Sequence, residues 1–137
     1  MPVPLRVAHE LINGAHQRAR ELGAHITVAI VDEGGHLQAL GRMDGAPPLS
    51  ADIAEHKAAS VALIRRDGAA LRQMQEAWPA FFSQIDRVAG RPILAGAGSM
   101  LIQRADTVMG AIAVSGGLPQ QDDECAEAGL AGLAAGE

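Results

Sequence analysis

The sequence contains few of the residues that mark several large classes of protein. Its 137 residues include one cysteine, Cys125, so an intramolecular disulfide is excluded and a reducing compartment is expected. The chain has no tyrosine, and its three aromatic residues all lie between positions 78 and 82. A pocket elsewhere in the chain must therefore be lined by aliphatic and polar side chains.

Positive charge and long apolar runs are also scarce. The chain has 11 basic and 16 acidic residues, a net charge of −5 at pH 7, and no run of five basic residues. This balance disfavours a surface for nucleic acid or for an anionic membrane. No window is long enough to cross a bilayer, and the first ten residues lack an apolar core of signal-peptide length. We therefore expect a cytoplasmic protein with no membrane or nucleic-acid partner.

The residues that are present indicate one α+β domain spanning residues 1–137. Hydrophobic residues make up 48% of the chain, which is enough to form a core. Apolar spacing and turn residues predict an order of helix, hairpin, helices, hairpin and helix, with a central antiparallel sheet flanked by helices. Ser50 and Asp67 are predicted to cap two of the helices. The predicted segments are helix 5–22, strands 26–31 and 36–42, helices 51–65, 67–76 and 79–88, strands 99–103 and 107–115, and a helix from residue 119.

Two features favour a homo-oligomer, either a dimer or a larger assembly. Both faces of the first predicted strand are apolar, and a chain this short is expected to lack enough helix to cover both faces. The last helix also carries small residues on one stripe, which permits close backbone approach to a partner or to the chain's own sheet. That stripe consists of Cys125, Gly129, Gly132 and Gly136.

Charged residues at the ends of the first hairpin are candidates for ligand binding. Arg42 and Asp44 follow its second strand, and Asp32 ends its first strand. They can simply stabilise turns, with Arg42 paired to Asp44 and Asp32 holding the amides of residues 33–35. Alternatively, the Arg42 guanidinium can bind a carboxylate or another oxygen-rich ligand.

Other candidate residues lie on the helices and on a glycine-rich turn. Lys57 stands among alanines in a predicted helix, where it either extends to solvent or meets a partner in a pocket. The turn Ser115-Gly116-Gly117 precedes the last helix, so it either reverses the chain or presents amides to an anion. None of the five histidines forms a close metal-binding pair, and His16 is at most a weak candidate for an axial iron ligand.

Three blocks of sequence resemble the GlcG/HbpS-type family of small haem-binding or haem-degrading proteins. They are VAIVDEGGHLQALGRMDGA, HKAASV and GAIAVSGGLPQQDDECAEAG, and their order and spacing match over nearly the whole chain. The resemblance implies a profilin- or PAS-like fold that assembles into oligomers. The family motif falls on Asp32, Gly34, Gly35, Arg42, Asp44, Gly45, Lys57, Gly110, Ser115, Gly116, Gly117 and Asp122.

These observations leave three hypotheses for function. The first is an oligomeric module that binds haem or a related small metabolite at a subunit interface. The second is a cofactor-independent isomerase, tautomerase or lyase acting on an oxygenated organic acid. In it Arg42 orients a carboxylate, Lys57 or Asp122 transfers a proton, and the amides of residues 115–117 stabilise an oxyanion. The third is a structural or regulatory oligomer whose charged residues only stabilise turns.

Overall fold

The computed structural model describes residues 2–135 and confirms the predicted α+β order. Periodic apolar residues form helix α1, which ends at Gly23 in the left-handed conformation. Two antiparallel hairpins, β1–β2 and β3–β4, join through β1 and β4 into one sheet of order β2-β1-β4-β3. The elements are α1 Leu5–Leu22, β1 Thr27–Asp32, β2 Leu37–Arg42, α2 Leu49–Ile64, α3 Gly68–Ala77, α4 Pro79–Phe82, α5 Ile85–Ala89, β3 Ser99–Arg104, β4 Thr107–Ser115 and α6 Pro119–Ala135.

Helices from this chain cover both faces of the central strands. Helices α1 and α6 pack on the face that includes Val28 and Ile30, and α2 and α3 pack on the face that includes Ala29 and Val31. The argument that one apolar face must be covered by a partner subunit is therefore wrong. The alanine-rich surface of α2 lies close enough to the sheet to bury the second face.

Two small residues of the α6 stripe, Cys125 and Gly129, pack within the chain, whereas Gly132 is exposed and has no described atom within 4 Å of an added Cβ. A Cβ added to Gly129 would lie 2.8 Å from the Leu11 carbonyl oxygen, and one added to Gly14 would lie 3.3 Å from the Gly129 Cα. Backbones of α1 and α6 thus touch where both helices carry glycine. Gly136, the last member of the predicted stripe, lies outside the described residues.

Both predicted helix caps differ from the structure. Helix α2 begins at Leu49 after Pro48, so Ser50 lies inside its first turn and its hydroxyl donates to the Pro47 carbonyl oxygen at 2.5 Å. Asp67 occupies the position before α3, but its carboxylate accepts the Leu101 amide of strand β3 instead of capping the helix. The Ser50 hydroxyl also bonds that of Thr27 in β1, so each side chain links its helix end to a strand, a tertiary role that local sequence does not encode.

Candidate functional site

The antiparallel register brings several of the predicted site residues to one end of the sheet. Thr27, the first residue of β1, lies opposite Arg42 on β2 and opposite Ser115 on β4. Cross-strand partners share a face, so these three residues form one row beneath α2. Two strand spacings separate the Cα atoms of Arg42 and Ser115, a distance of about 10 Å. The Thr27 and Ser50 hydroxyls share a hydrogen bond of 2.7 Å that ties the row to α2.

Three loops at this sheet end enclose an open cleft of about 400 Å³. The loops are residues 23–26, 43–48 and 116–118, and we call the space between them and Gln121 the loop cleft. Gly116 adopts a φ of +117°, and a Cβ there would lie 2.7 Å from the His25 carbonyl oxygen. Glycine is therefore required where the turn after β4 meets the loop before β1. As the composition predicts, no aromatic residue is among those lining this cleft in the described chain.

Lys57 and Asp122 form a buried pair beside the loop cleft. Their residues are 7% and 6% exposed, and 4.0 Å separates Lys57 Nζ from Asp122 Oδ2. The ammonium also donates to the Val114 carbonyl oxygen at 2.5 Å, and Asp122 Oδ1 accepts the Gly117 amide at 3.0 Å. Through these contacts the pair connects the core of α2 to the turn that forms one wall of the cleft.

Burial perturbs both members of this pair toward the uncharged form. Desolvation lowers the pKa of Lys57, and the charges of Asp122 and Asp123 oppose that effect. Desolvation raises the pKa of Asp122, while the Lys57 charge and the Gly117 amide oppose it. Because the two shifts bring the pKa values of acid and base closer together, moving a proton between them costs less than in water.

Arg42 is at the correct sheet end, but it does not pair with Asp44. Its guanidinium donates to the Ala46 carbonyl oxygen at 3.1 Å, and within residues 2–135 it forms no ion pair with Asp44. Both side chains are exposed. Arg42 thus braces the loop before α2 through the backbone, and its other N–H groups remain suited to a carboxylate ligand.

Two predicted residues lie away from this row, Asp32 at the other end of the sheet and His16 on the other face. Asp32 is the last residue of β1 and lies at the opposite end of the sheet, roughly 17 Å along the strand from Thr27. There its Oδ1 accepts the Gly34 and His36 amides, each at 2.9 Å, so Asp32 holds the hairpin turn. His16 packs on the other face of the sheet, with Nε2 at 3.0 Å from the Gly41 carbonyl oxygen, and desolvation lowers its pKa.

The structure adds residues that the sequence did not single out. His25 lies in the loop before β1 and lines the loop cleft with an exposed side chain, and Gln121 lines it from the first turn of α6. Asp123 accepts the Gly98 amide at 2.6 Å and so fixes the segment before β3. The position of His25 just before the predicted apolar strand 26–31 was the available sequence signal for this residue. Loops expose their side chains at strand ends, so a polar residue there can face a cleft.

The described part of the chain has neither a metal-binding cluster nor a membrane-spanning helix. In residues 2–135, no group of three or more histidine, cysteine, aspartate or glutamate side chains is placed to hold a metal ion. Among the helices of that same part, none is both long and apolar enough to cross a membrane.

A single antiparallel sheet with helices on both faces and a cleft between strand-end loops defines a profilin- or PAS-like α+β protein with a small-molecule-sized cavity. The sequence agrees with this structural class and identifies one family within it. The model of the family described as "Haem degrading protein HbpS-like" matches residues 3–131, and the chain belongs to that family.

Relatives and solved structures agree with this assignment. Protein GlcG of Escherichia coli K12 is 35% identical over 69 residues, which cover 50% of this chain and 52% of GlcG, so the match spans about half of each protein. HbpS of Streptomyces reticuli, solved as a double mutant, has 27% identity and a TM-score of 0.86, covering 97% of this chain and 88% of that one. The crystal structure named PduOC:Heme Complex has the same TM-score at 23% identity, covering 96% and 95%.

Proposed function

We propose that this protein binds a small molecule in the loop cleft, and that haem is the first ligand to test. The observation that carries the proposal is that the Ser115-Gly116-Gly117 turn, Arg42 and the Lys57–Asp122 pair meet at one sheet end. An exposed guanidinium and a glycine-walled cleft provide the polar contacts and the space that a small ligand needs, and the buried Lys57–Asp122 pair holds the Gly117 wall of that cleft.

One side chain and several glycines around the cleft support a test of haem. The imidazole of His25 is a nitrogen donor of the kind that binds haem iron, and Gly45, Gly116 and Gly117 leave space where side chains would intrude. Arg42 bonds the Ala46 carbonyl oxygen in the loop whose Gly45 and Pro47 line the cleft, and its guanidinium is of the kind that binds a propionate. The names of the family and of the PduOC:Heme Complex support the choice of haem. Bound haem would supply iron chemistry that this chain's own side chains lack.

Titration of the purified protein with hemin tests this proposal. A specific site should produce a saturable shift of the Soret band with a Kd at or below about 1 μM. Gly116→Ala, which places a Cβ against the His25 carbonyl oxygen, should weaken binding. The matched control is Gly90→Ala, because Gly90 also has a left-handed φ, +72°, but has no atom within 4 Å of an added Cβ. Absence of saturation in the wild type would remove haem as the ligand.

We further propose that the protein is a homo-oligomer, that a neighbouring subunit closes the open side of the cleft, and that it acts in the cytoplasm. The open cleft supports the first two points, and the single buried Cys125 supports a reducing compartment. Light scattering coupled to size exclusion measures the assembly, and cell fractionation measures the location. A monomer that binds ligand fully would contradict a subunit-interface site.

A second candidate function, a cofactor-independent enzyme acting on an oxygenated organic acid, rests on the Lys57–Asp122 pair. Here Arg42 orients the substrate carboxylate and the pair transfers a proton. In this mechanism the amides of Ser115, Gly116 and Gly117 stabilise an oxyanion, although the Gly117 amide must first release Asp122 Oδ1. Asp32, at the far sheet end, plays no part in this arrangement.

A thermal-shift screen of dicarboxylates and hydroxy-keto acids, followed by turnover assays, tests this second function. Arg42→Lys keeps the charge but loses the planar fork, so it should weaken carboxylate binding. Lys57→Met should abolish turnover while retaining ligand binding. If Arg42→Ala and Lys57→Ala both leave binding and turnover unchanged, the site is wrong.

A further inference from the structure

The outer side of strand β2 is an unpaired edge of the sheet. The strand lies at one end of the sheet order and pairs with β1 alone. The Met43 amide donates to the Ile26 carbonyl oxygen at 2.9 Å, and alternate residues of a strand direct their backbone groups the same way. The amides and carbonyl oxygens of Leu40 and Arg42 therefore point away from β1. Within residues 2–135 no hydrogen bond reaches these four groups, so they are left for water or for another strand.

The opposite edge of the sheet is protected by the chain itself. On β3, the Gly98 carbonyl oxygen accepts the Val114 amide at 2.8 Å, so the Leu101 amide points outward. Asp67 Oδ1, at the start of α3, accepts that amide at 2.8 Å. The carboxylate thus occupies the place on β3 that a strand of another molecule would take. Leu40 of β2 has no such partner in the described chain.

Strand β2 also lacks the residues that usually prevent edge pairing. Its sequence, LQALGR, has no proline, and its one charged residue is the last. Leu37 and Leu40 are 46% and 37% exposed. The irregularity in the β1–β2 pairing lies between Ile30 and Val31, so residues 39–42 form a regular edge. An uncovered, apolar and regular edge is the kind that pairs with a further strand.

We propose that β2 pairs antiparallel with β2 of a second copy of this chain, with Leu40 opposite Leu40. The inference rests on the homo-oligomer proposed above and names its interface. A twofold axis makes the two edges identical, so each outward amide meets an outward carbonyl oxygen. This register brings the two Leu40 side chains together on the α2 face and places Arg42 opposite the neutral Gln38. A register with Arg42 opposite Arg42 would instead oppose like charges.

This pairing brings together the two sheet ends that lie apart within one chain. Because the second strand runs in the opposite direction, the hairpin turn 33–36 of the second copy lies beside the loop 43–48. His36 of the second copy then lies next to Asp44, and both side chains are exposed in the single chain. Asp44 precedes Gly45, which lines the loop cleft. The second copy therefore adds an imidazole beside one wall of that cleft.

Leu40→Cys tests the register directly. Opposite residues of a hydrogen-bonded antiparallel pair have Cα atoms about 5.5 Å apart, which a disulfide can span. Mild oxidation should therefore convert most of the Leu40→Cys protein to a covalent dimer on a non-reducing gel. Leu37→Cys is the matched control, because Leu37 is also an exposed leucine of β2 but would lie roughly 20 Å from its own copy. The native Cys125 is buried and should not cross-link.

Leu40→Lys tests the interface without a cross-link. The change opposes two ammonium groups at the twofold axis, so light scattering should give about half the wild-type molar mass or less. Leu37→Lys, which lies opposite Met43 in this register, should keep the wild-type mass. Circular dichroism of each variant confirms that it is folded.

The outcomes separate this inference from the proposals above. If the wild type is an oligomer, but Leu40→Lys keeps its mass and Leu40→Cys cross-links no faster than Leu37→Cys, the β2 pairing is overturned while the homo-oligomer stands. A monomeric wild type would overturn both. Neither experiment measures ligand binding, so failure of the haem proposal does not affect this result.

Discussion

Asp122→Asn should destabilise the protein strongly, because in the described chain it removes the carboxylate that forms the ion pair with Lys57. The Asn side chain keeps the oxygen that accepts the Gly117 amide, so the change isolates the charge. In the described chain, Lys57 Nζ is otherwise bonded to one neutral oxygen, the Val114 carbonyl. A buried ammonium with a single neutral acceptor is poorly compensated for its lost hydration.

The magnitude follows from the geometry. Two unit charges at the observed 4.0 Å attract by about 4 kcal/mol at an effective dielectric constant of about 20. Local relaxation and partial deprotonation of Lys57 reduce the loss, so we expect the free energy of unfolding to fall by about 3 kcal/mol. For a chain of this length, that corresponds to a Tm lower by roughly 10 °C.

The pH dependence provides a sharper check. The pKa of Lys57 is lowered in the folded state by desolvation, so its burial penalty is full at low pH. That penalty is relieved as pH rises from the folded pKa toward the unfolded value, 10.5. Loss of the Asp122 charge lowers the folded pKa of Lys57 further. The deficit of Asp122→Asn should therefore be largest near neutral pH and shrink at about pH 9.5.

Urea unfolding followed by circular dichroism measures these values, with Lys57→Met and the double variant completing a thermodynamic cycle. The double variant should be more stable than Asp122→Asn, because no buried charge is left unpaired. A free energy of unfolding within about 0.5 kcal/mol of the wild type for Asp122→Asn would refute the reasoning. It would mean that water, not Asp122, solvates the Lys57 ammonium.

Three further predictions concern the surrounding structure. Gly98→Ala should lower the free energy of unfolding by about 2–4 kcal/mol in the same urea assay, because Gly98 has a φ of +80° and the new Cβ would lie 2.6 Å from Asp122 Cβ. A loss no larger than that of Gly90→Ala would contradict this prediction. Asp32→Ala should lose about 1–2 kcal/mol at neutral pH without changing ligand affinity. Although desolvation opposes them, the amides of residues 34 and 36 lower the pKa of Asp32, so this deficit should vanish as pH falls through the folded pKa, below 3.8. Burial raises the pKa of the Cys125 thiol to about 11, so a disulfide reagent at about pH 8 should modify it only on unfolding; rapid reaction of the native protein would show that the thiol is accessible.

The sequence alone determined the elements and part of the site. Helical spacing, turn glycines and strand alternation act over a few residues, so they fixed the two hairpins and most of the helices around them to within a few positions. The one helix predicted over 79–88 was wrong, because the structure has two short helices there, α4 and α5. Hairpin geometry also distinguishes two of the candidate site residues, Arg42 and Asp32. Arg42 pairs with the first residue of β1, whereas Asp32 is the last residue of β1. An antiparallel turn therefore forces them to opposite ends of the sheet.

Only the tertiary structure decided which faces and loops meet. The packing of α2 covers the second sheet face and places Lys57 beside Asp122, two residues far apart in sequence. The packing of α1 on the other face places His16 against Gly41, and the loops at one sheet end form the loop cleft, which His25 lines. These outcomes depend on how close two backbones can come, which is set by small residues such as Gly116 and Gly129 acting jointly across distant segments. The periodicity of apolar residues within one segment does not predict how closely that segment packs against a distant one.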